Sequence, residues 1–343
     1  MTLLWIEGFE TYGDTDGVAP DGMEERYSST YRIDFTDIEA GRIAGHRWYT
    51  NTSSVPYIRT KSFGSITEWI VGFAFKAEQL SNMKIMTTFE PGALEGVNLR
   101  LTAAGEFAVY RLNSLLGTTS GISLSADTWC YLELRCLIHN TAGEVELKVN
   151  ETQELNLTGQ DTRRGGIAET NQFQFQGSST YPNNFSFDDI YILTTTGSNN
   201  NDFLGNSRVD AIFPNAAGDA SDFTPDSGSN YDRVDENPPD GDTSYVESST
   251  AGHQDLYNYE SVLAGTVGIK GIQINTECRE TDAQNYDLKT LVKSGATTDA
   301  DAGQSIGTTS YKSLHRIVEE DPNTSAAWTA GGVNNAQFGA EVA

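Results

Sequence analysis

A chain of 343 residues is long for one antiparallel sandwich and comfortable for two domains. Its hydrophobic fraction is only 37%, yet the aromatic residues are spread evenly enough to build cores, which excludes wholesale disorder. Forty-eight acidic residues against 22 Lys and Arg leave a net charge of -26, and because both halves are negative a nucleic-acid backbone is excluded as a partner.

The opening MTLLWIEGFETYG lacks the basic region and apolar core of a signal peptide, and none is expected. No apolar run reaches the roughly 18 residues of a spanning helix, so membrane insertion is not expected. Cys130, Cys136 and Cys278 have no disulfide-framework or zinc spacing. On one straight strand the first two stand roughly 20 Å apart, too far to bridge, and all three read as reduced thiols.

In chain order, TLLWIEGFE starts a strand, and residues 10–30, rich in Asp, Glu, Gly and Ser, read as a loop. ITEWIVGFAFKAE (66–78) places Trp69, Val71, Phe73 and Phe75 on one face. MKIMTTFE, GVNLRLTAAGEFAVYRL, WCYLELRCLIHN and GEVELKVNE follow, each bounded by Gly, Asn or Asp. The clearest alternation sets Cys130, Leu132, Leu134 and Cys136 against Trp129, Tyr131, Glu133 and Arg135, as a sheet with one core face requires. The polar stretch TTTGSNNND (194–202) reads as a linker. Beyond it, residues 214–255 are dominated by Asp, Ser, Gly, Asn and Pro, too polar for core, and are expected to order only against a partner. GTVGIKGIQINTECRE and YDLKTLVKSG return to strand pattern. SYKSLHRIVEEDPNT suggests a strand or short helix, and the tail a loop with a final strand, FGAEV.

WIEGFETY, EWIVGFAFKAE, DTWCYLELRCLIHNTAGEVELKVNE and FSFDDIYIL, in that order, resemble the concanavalin A-like and laminin G-like jelly-roll superfamily. More narrowly they resemble versions found in tailed-bacteriophage virion proteins. NDFLGNSRVDAIFPNAAGD, NYDRVDENPPDGDTSYV and DPNTSAAWTAGGVNNAQFGAEV resemble the C-terminal regions of the same proteins. The resemblance implies an all-β fold: a concanavalin A-like jelly roll over 1–195, a linker at 196–202 and a smaller β-rich assembly domain over 203–343. It also implies location in a virion, contact with other capsid or tail proteins, and a homo-oligomer, with a trimer favoured.

Several residue sets are candidates for chemistry. Asp188 and Asp189 are neighbours in FSFDDIYIL, but adjacent strand residues point to opposite faces. They are therefore not expected to converge as a glycosidase pair would, at about 5–9 Å across a sugar. One is expected to meet loop N–H groups and the other solvent or an arginine. Glu133, Glu144 and Glu146, the available second carboxylates, read as solvent-face residues. Calcium is the one cofactor considered, with Asp189, Asp232, Asp235, Glu236, Asp240 and Asp242 as candidate ligands, although the EF-hand spacing is absent. The exposed aromatic candidates are Trp48, Tyr49, Tyr57, Tyr181, Tyr231 and Tyr245. Tyr181, Asn183 and Asn184 form a candidate rim for a host glycan. No histidine pair, nucleophile elbow or phosphate loop is present. The expected function is a noncatalytic virion component that decorates or extends the particle, in tail, fibre or capsid. The alternatives are a receptor-binding lectin-like module and, further off, a glycan hydrolase.

Overall fold

Period-two patterning is realised as two stacked antiparallel sheets in residues 2–209, and residues 210–343 form a second unit. The computed structural model describes residues 2–12, 27–31, 36–43, 45–50, 56–177, 184–282, 284–307 and 309–343, with backbone alone at 28–31, 36–39 and 50.

The first unit contains β1 (Leu3–Glu7), β2 (Tyr27–Tyr31), β3 (Thr36–Ala40), β4 (His46–Thr50) and β5 (Tyr57–Thr60). The long strand β6 (Glu68–Ala77) is followed by β7 (Met83–Glu90), β8 (Leu94–Leu101), β9 (Phe107–Arg111) and β10 (Ser114–Thr118). Then come β11 (Cys130–Leu137), β12 (Gly143–Val149), β13 (Thr152–Gln160), β14 (Gln172–Gln176) and β15 (Phe185–Thr194). Among the described residues, one sheet runs β13-β12-β11-β6-β15-β4-β3, with β1 also paired to β15, and the other runs β10-β9-β8-β7-β14-β5-β2. All these pairings are antiparallel, and the non-sequential strand order is that of a jelly-roll sandwich.

The expected faces meet between the sheets. Trp69, Val71, Phe73 and Phe75 of β6 join Cys130, Leu132, Leu134 and Cys136 of β11 in one core cluster. Phe187 of β15 stacks on Trp48 at 5.2 Å and also meets the rings of Phe73, Phe75 and Phe175. Trp48, expected among the exposed aromatics, is therefore core: its strand pairs with β15 so that Trp48 faces Phe187 across the ladder.

The three cysteines are free. Burial pushes the Cys130 and Cys278 thiols up to about 12 and Cys136 higher still. A thiol that stays protonated is a poor nucleophile. A disulfide exchange reagent at pH 8 is expected to leave the native protein almost unlabelled and to titrate all three thiols once denaturant is added.

The boundary after residue 209 lies beyond the polar stretch 196–202 that composition suggested. Residues 203–209 belong to the first unit because they are hydrogen-bonded onto it, as described below.

In the second unit, strands Pro214–Ser221, Gln254–Tyr259, Gln337–Val342, Asp287–Ser294 and Thr297–Ala300 lie side by side in that order, and Ile272–Cys278 pairs with Lys312–Val318. Trp328, Val333 and Phe338 pack with Ile274 and Val292 in its core. Residues 214–255, expected to need a partner, are ordered within the chain. Pro214–Ser221 pairs with Gln254–Tyr259, and Asn230 donates to Asp255 at 2.7 Å from a short 3-10 turn. The ordering comes from backbone pairing and polar side chains, which composition alone does not reveal.

The tail, read as a loop before its last strand, contains the helix Ala330–Asn334. Its two glycines argue against helix, but Thr329 caps it, accepting from the Gly332 N–H at 2.9 Å. Thr329→Ala is expected to cost about 1 kcal/mol in chemical denaturation.

Candidate functional site

Asp188 and Asp189 lie on one face, contrary to the expectation from strand alternation, but they meet the partners expected of them, a loop N–H and an arginine. A bulge interrupts the β15–β6 ladder between Asp188 and Tyr191, and Asp189 takes a left-handed conformation with φ 53°. Aspartate enters that region more readily than most residues. Both carboxylates are thereby turned toward Arg42 and are almost fully buried. Asp188 accepts from the Arg42 backbone N–H at 2.7 Å and from the Asp189 N–H at 2.8 Å. Asp189 accepts from Arg42 Nε at 2.8 Å and from the Val209 N–H at 2.8 Å. The guanidinium of Arg42 also donates to Asn206 and to the Ser207 carbonyl. Burial raises the Asp188 carboxyl to about 8, with the neighbouring Asp189 charge adding to the rise. Asp189 is also raised by burial, with Arg42 pulling it back.

Glu133, expected on a solvent face, does point away from the core, but that face is covered. It pairs with Gly72, and Gly72 pairs with Tyr191. A Cβ at Gly72 would lie 2.1 Å from the Tyr191 ring. Glycine is thus what allows the ring to cross the middle strand and donate to Glu133 Oε1 at 2.5 Å. The same oxygen accepts from the Gly205 N–H at 2.8 Å, and Tyr191 Oη accepts from the Leu204 N–H at 3.2 Å. Phe203 lies under Lys148 Nζ at 4.0 Å. Residues 203–209 are therefore a strap fastened to the outer face of this sheet by Glu133, Tyr191, Asp189 and Arg42.

The other candidate residues separate. Tyr181 and Asn183 lie outside the described residues. Asn184 donates to Tyr49 Oη and to Glu78 Oε2, each at 2.8 Å, tying the start of β15 to the end of β6. Of the calcium candidates, Asp189 is engaged by Arg42. Asp242 accepts from Arg279 at 2.7 Å and Tyr311 at 2.6 Å. Glu236 and Asp240 both accept from Ser244 Oγ, at 2.5 and 2.9 Å. Asp232 lies in the 3-10 turn Asn230–Arg233, and Asp235 follows it. Among the described residues no group of three or more His, Cys, Asp or Glu side chains is gathered as a metal site.

A different constellation lies on the outward face of the second sheet. Cross-strand register aligns Arg59, Gln174, Thr87, Asn98 and Tyr110 in one row over β5, β14, β7, β8 and β9. At a strand spacing of about 4.8 Å the row is roughly 19 Å long. Phe173 and Phe175 flank Gln174 and point into the core, which places the row on the opposite face. Arg59 holds Gln174 Oε1 through Nε and Nη2, at 3.0 and 2.7 Å, and lies 3.6 Å over the Phe89 ring. Arg100 lies 4.0 Å over Tyr110 and donates to Asn98 Oδ1 at 2.7 Å. Thr87, at the centre, is 0% exposed, and its hydroxyl has no hydrogen-bond partner. The row was missed because its members come from five separate strands. The alternating Gln of QFQFQ is the one local signal that could have marked it.

No family profile and no curated protein matches the chain. Solved structures do match. Alginate lyase Aly36B aligns over 55% of this chain and 96% of its own, at 12% identity and a TM-score of 0.40. The endo-beta-1,4-glucuronan lyase of the fungus Trichoderma reesei aligns over 49% and 91%, at 12% identity and 0.37. The binding domain of Paraclostridial Mosquitocidal Protein 1 aligns over 56% and 48%, at 11% identity and 0.41. The chain is all-β with a jelly-roll sandwich.

Proposed function

We propose that the protein is a noncatalytic component of a bacteriophage virion, carried on the particle surface beside other capsid or tail proteins and assembled as a homo-oligomer, a trimer ahead of other states. The resemblance of its motifs to tailed-phage virion proteins supports the setting. The observation that carries the noncatalytic reading is the destination of the buried carboxylates. Glu133, Asp188 and Asp189 all accept N–H groups of their own chain, and Glu133 and Asp189 hold its strap in place. Such carboxylates stiffen a sandwich, and a two-carboxylate hydrolase needs its pair open to a sugar. Cryo-electron microscopy of the intact particle tests the proposal. Density for the chain in symmetric contact with capsid or tube is the expected result, and absence of the chain from purified particles would overturn it.

A second reading, recognition of host surface glycans, is favoured by the polar row on the second sheet. Its partly exposed members, the Arg59 and Arg100 guanidinium groups and the Tyr110 ring, suit sugar hydroxyls and ring faces.

A further inference from the structure

We infer that the turn Arg163–Arg164–Gly165–Gly166 is a contact surface for a second copy of this chain, and that the carboxylates it meets there are Glu144 and Glu146. The inference rests on the homo-oligomer reading and adds the place and the chemistry of the contact.

Unpaired charge is the first support. Among the described residues the Arg163 guanidinium has neither an ion pair nor a hydrogen bond, and its Nε is buried without a partner. Arg164 donates from Nη1 to the Glu95 carbonyl at 3.0 Å and forms no ion pair either. The carboxylates around them are taken. Asp161, the nearest in sequence, is ion-paired with Arg111, and Glu95 is ion-paired with Lys84. Glu90 accepts the Arg164 N–H at 3.2 Å, and burial raises its carboxyl to about 7, so it balances only part of one charge. In a chain with 48 acidic residues against 22 Lys and Arg, a guanidinium left without a carboxylate is surplus to the fold. A guanidinium can meet a carboxylate with two parallel N–H groups.

The turn presents that charge. Arg164 and Ile167 pair across it, and Gly165 takes φ 56°, a left-handed conformation that suits glycine. Gly165 and Gly166 are exposed, and a Cβ added at either would meet nothing within 4 Å. The arginines thus stand beside an open tip whose backbone is already fixed, and little ordering entropy is lost when it docks.

Glu144 and Glu146 supply the opposite sign. They are two positions apart on β12, so they share one face and stand roughly 7 Å apart. Val145 and Leu147 point into the core, which turns both carboxylates outward, where Glu144 is exposed and Glu146 half-exposed. Among the described residues neither forms an ion pair. Arg135, opposite Glu146 on the ladder, is held by Glu68. The strands of their sheet carry ten acidic residues against four Lys or Arg. Charge complementarity therefore points to a copy of the same chain, which carries unpaired carboxylates and unpaired arginines on separate patches. A contact between unlike patches can close as a ring, three members included. Exposed ion pairs add little affinity singly, but they set register and exclude wrong approaches.

The test is sedimentation velocity of the chain over a wide concentration range, with melting temperatures measured in parallel. The wild type is expected to form a homo-oligomer. Arg163→Glu and, separately, the pair Glu144→Lys and Glu146→Lys are expected to weaken it about tenfold or more with little change in melting temperature, because each sets like charges against one another. All three substitutions in one chain exchange the signs and are expected to restore association. A wild type that stays monomeric at every concentration would overturn both the inference and the homo-oligomer reading. An oligomer that neither variant weakens would overturn the contact and leave that reading standing. Weakening in each variant without recovery in the combined one would overturn the pairing of this turn with these carboxylates. If Arg163→Glu fails to fold, Arg163→Gln is read by the same loss of association.

Discussion

Gly72→Ala is expected to destabilise the first unit by about 4 kcal/mol, more than any ordinary surface change on that sheet. The added methyl would lie 2.1 Å from Tyr191 Cε1, so the ring must leave its place across the central strand. Overpacking of this kind costs about 1–3 kcal/mol. Moving the ring also removes the 2.5 Å hydrogen bond to Glu133 and the acceptor for the Leu204 N–H, leaving buried polar groups unpaired at about 1–3 kcal/mol. Denaturant melts of Gly72→Ala, Tyr191→Ala and the double variant measure the coupling. A double variant about as stable as Tyr191→Ala alone would show that the ring is what the methyl strikes. Simple additivity would contradict the account.

The second large effect concerns Arg42. Arg42→Met removes the guanidinium paired with the buried Asp189, and breaking a buried pair from one side costs about 3–5 kcal/mol. The Asp188–Asp189 pair gives the wild type a pH dependence. Asp188 and Asp189 both have raised carboxyl values in the fold, against 3.8 ordinarily. As pH rises above that ordinary value, the unfolded chain releases these protons before the folded chain does. Stability from these groups is thus full at low pH and declines until Asp188 ionises at about 8. Glu90, raised by burial to about 7, acts in the same direction. The carboxylates with lowered values, such as Asp161 beside Arg111 and Glu341 beside Lys289, act oppositely but only in acid. The melting temperature is therefore expected to fall between about pH 5 and pH 8 and to level off above that. Asp188→Asn should flatten that fall, whatever it costs at one pH. An unchanged slope in both Asp188→Asn and Glu90→Gln would mean that neither carboxyl titrates in this range.

What could be read in the sequence depended on how local each signal was. The core faces of β6, β11 and β12 follow from side-chain alternation, which needs only the strand itself. The partners of Asp188 and Asp189 were legible, but their shared face was not, because one left-handed residue reverses the parity of everything after it and a non-glycine bulge has no firm sequence signature. The burial of Glu133 depends on a strap whose closest anchor point, Gly205, is 72 positions away. The helix after Thr329 was hidden by Gly331 and Gly332, whose poor propensity is outweighed by a cap and by Val333 packing into the core. The row on the second sheet becomes visible only with strand order and register, which place Arg59 beside Gln174 across 115 positions.

Hydrogen exchange on the isolated chain tests most directly whether these carboxylates are structural anchors. The Leu204, Gly205 and Val209 amides are expected to be protected in the wild type. Protection at Leu204 and Gly205 should be lost in Glu133→Ala, and at Val209 in Asp189→Ala, with the β6 and β11 amides still protected. Rapid exchange at all three positions in the wild type would contradict the account and return Glu133, Asp188 and Asp189 to the set of groups open to a ligand.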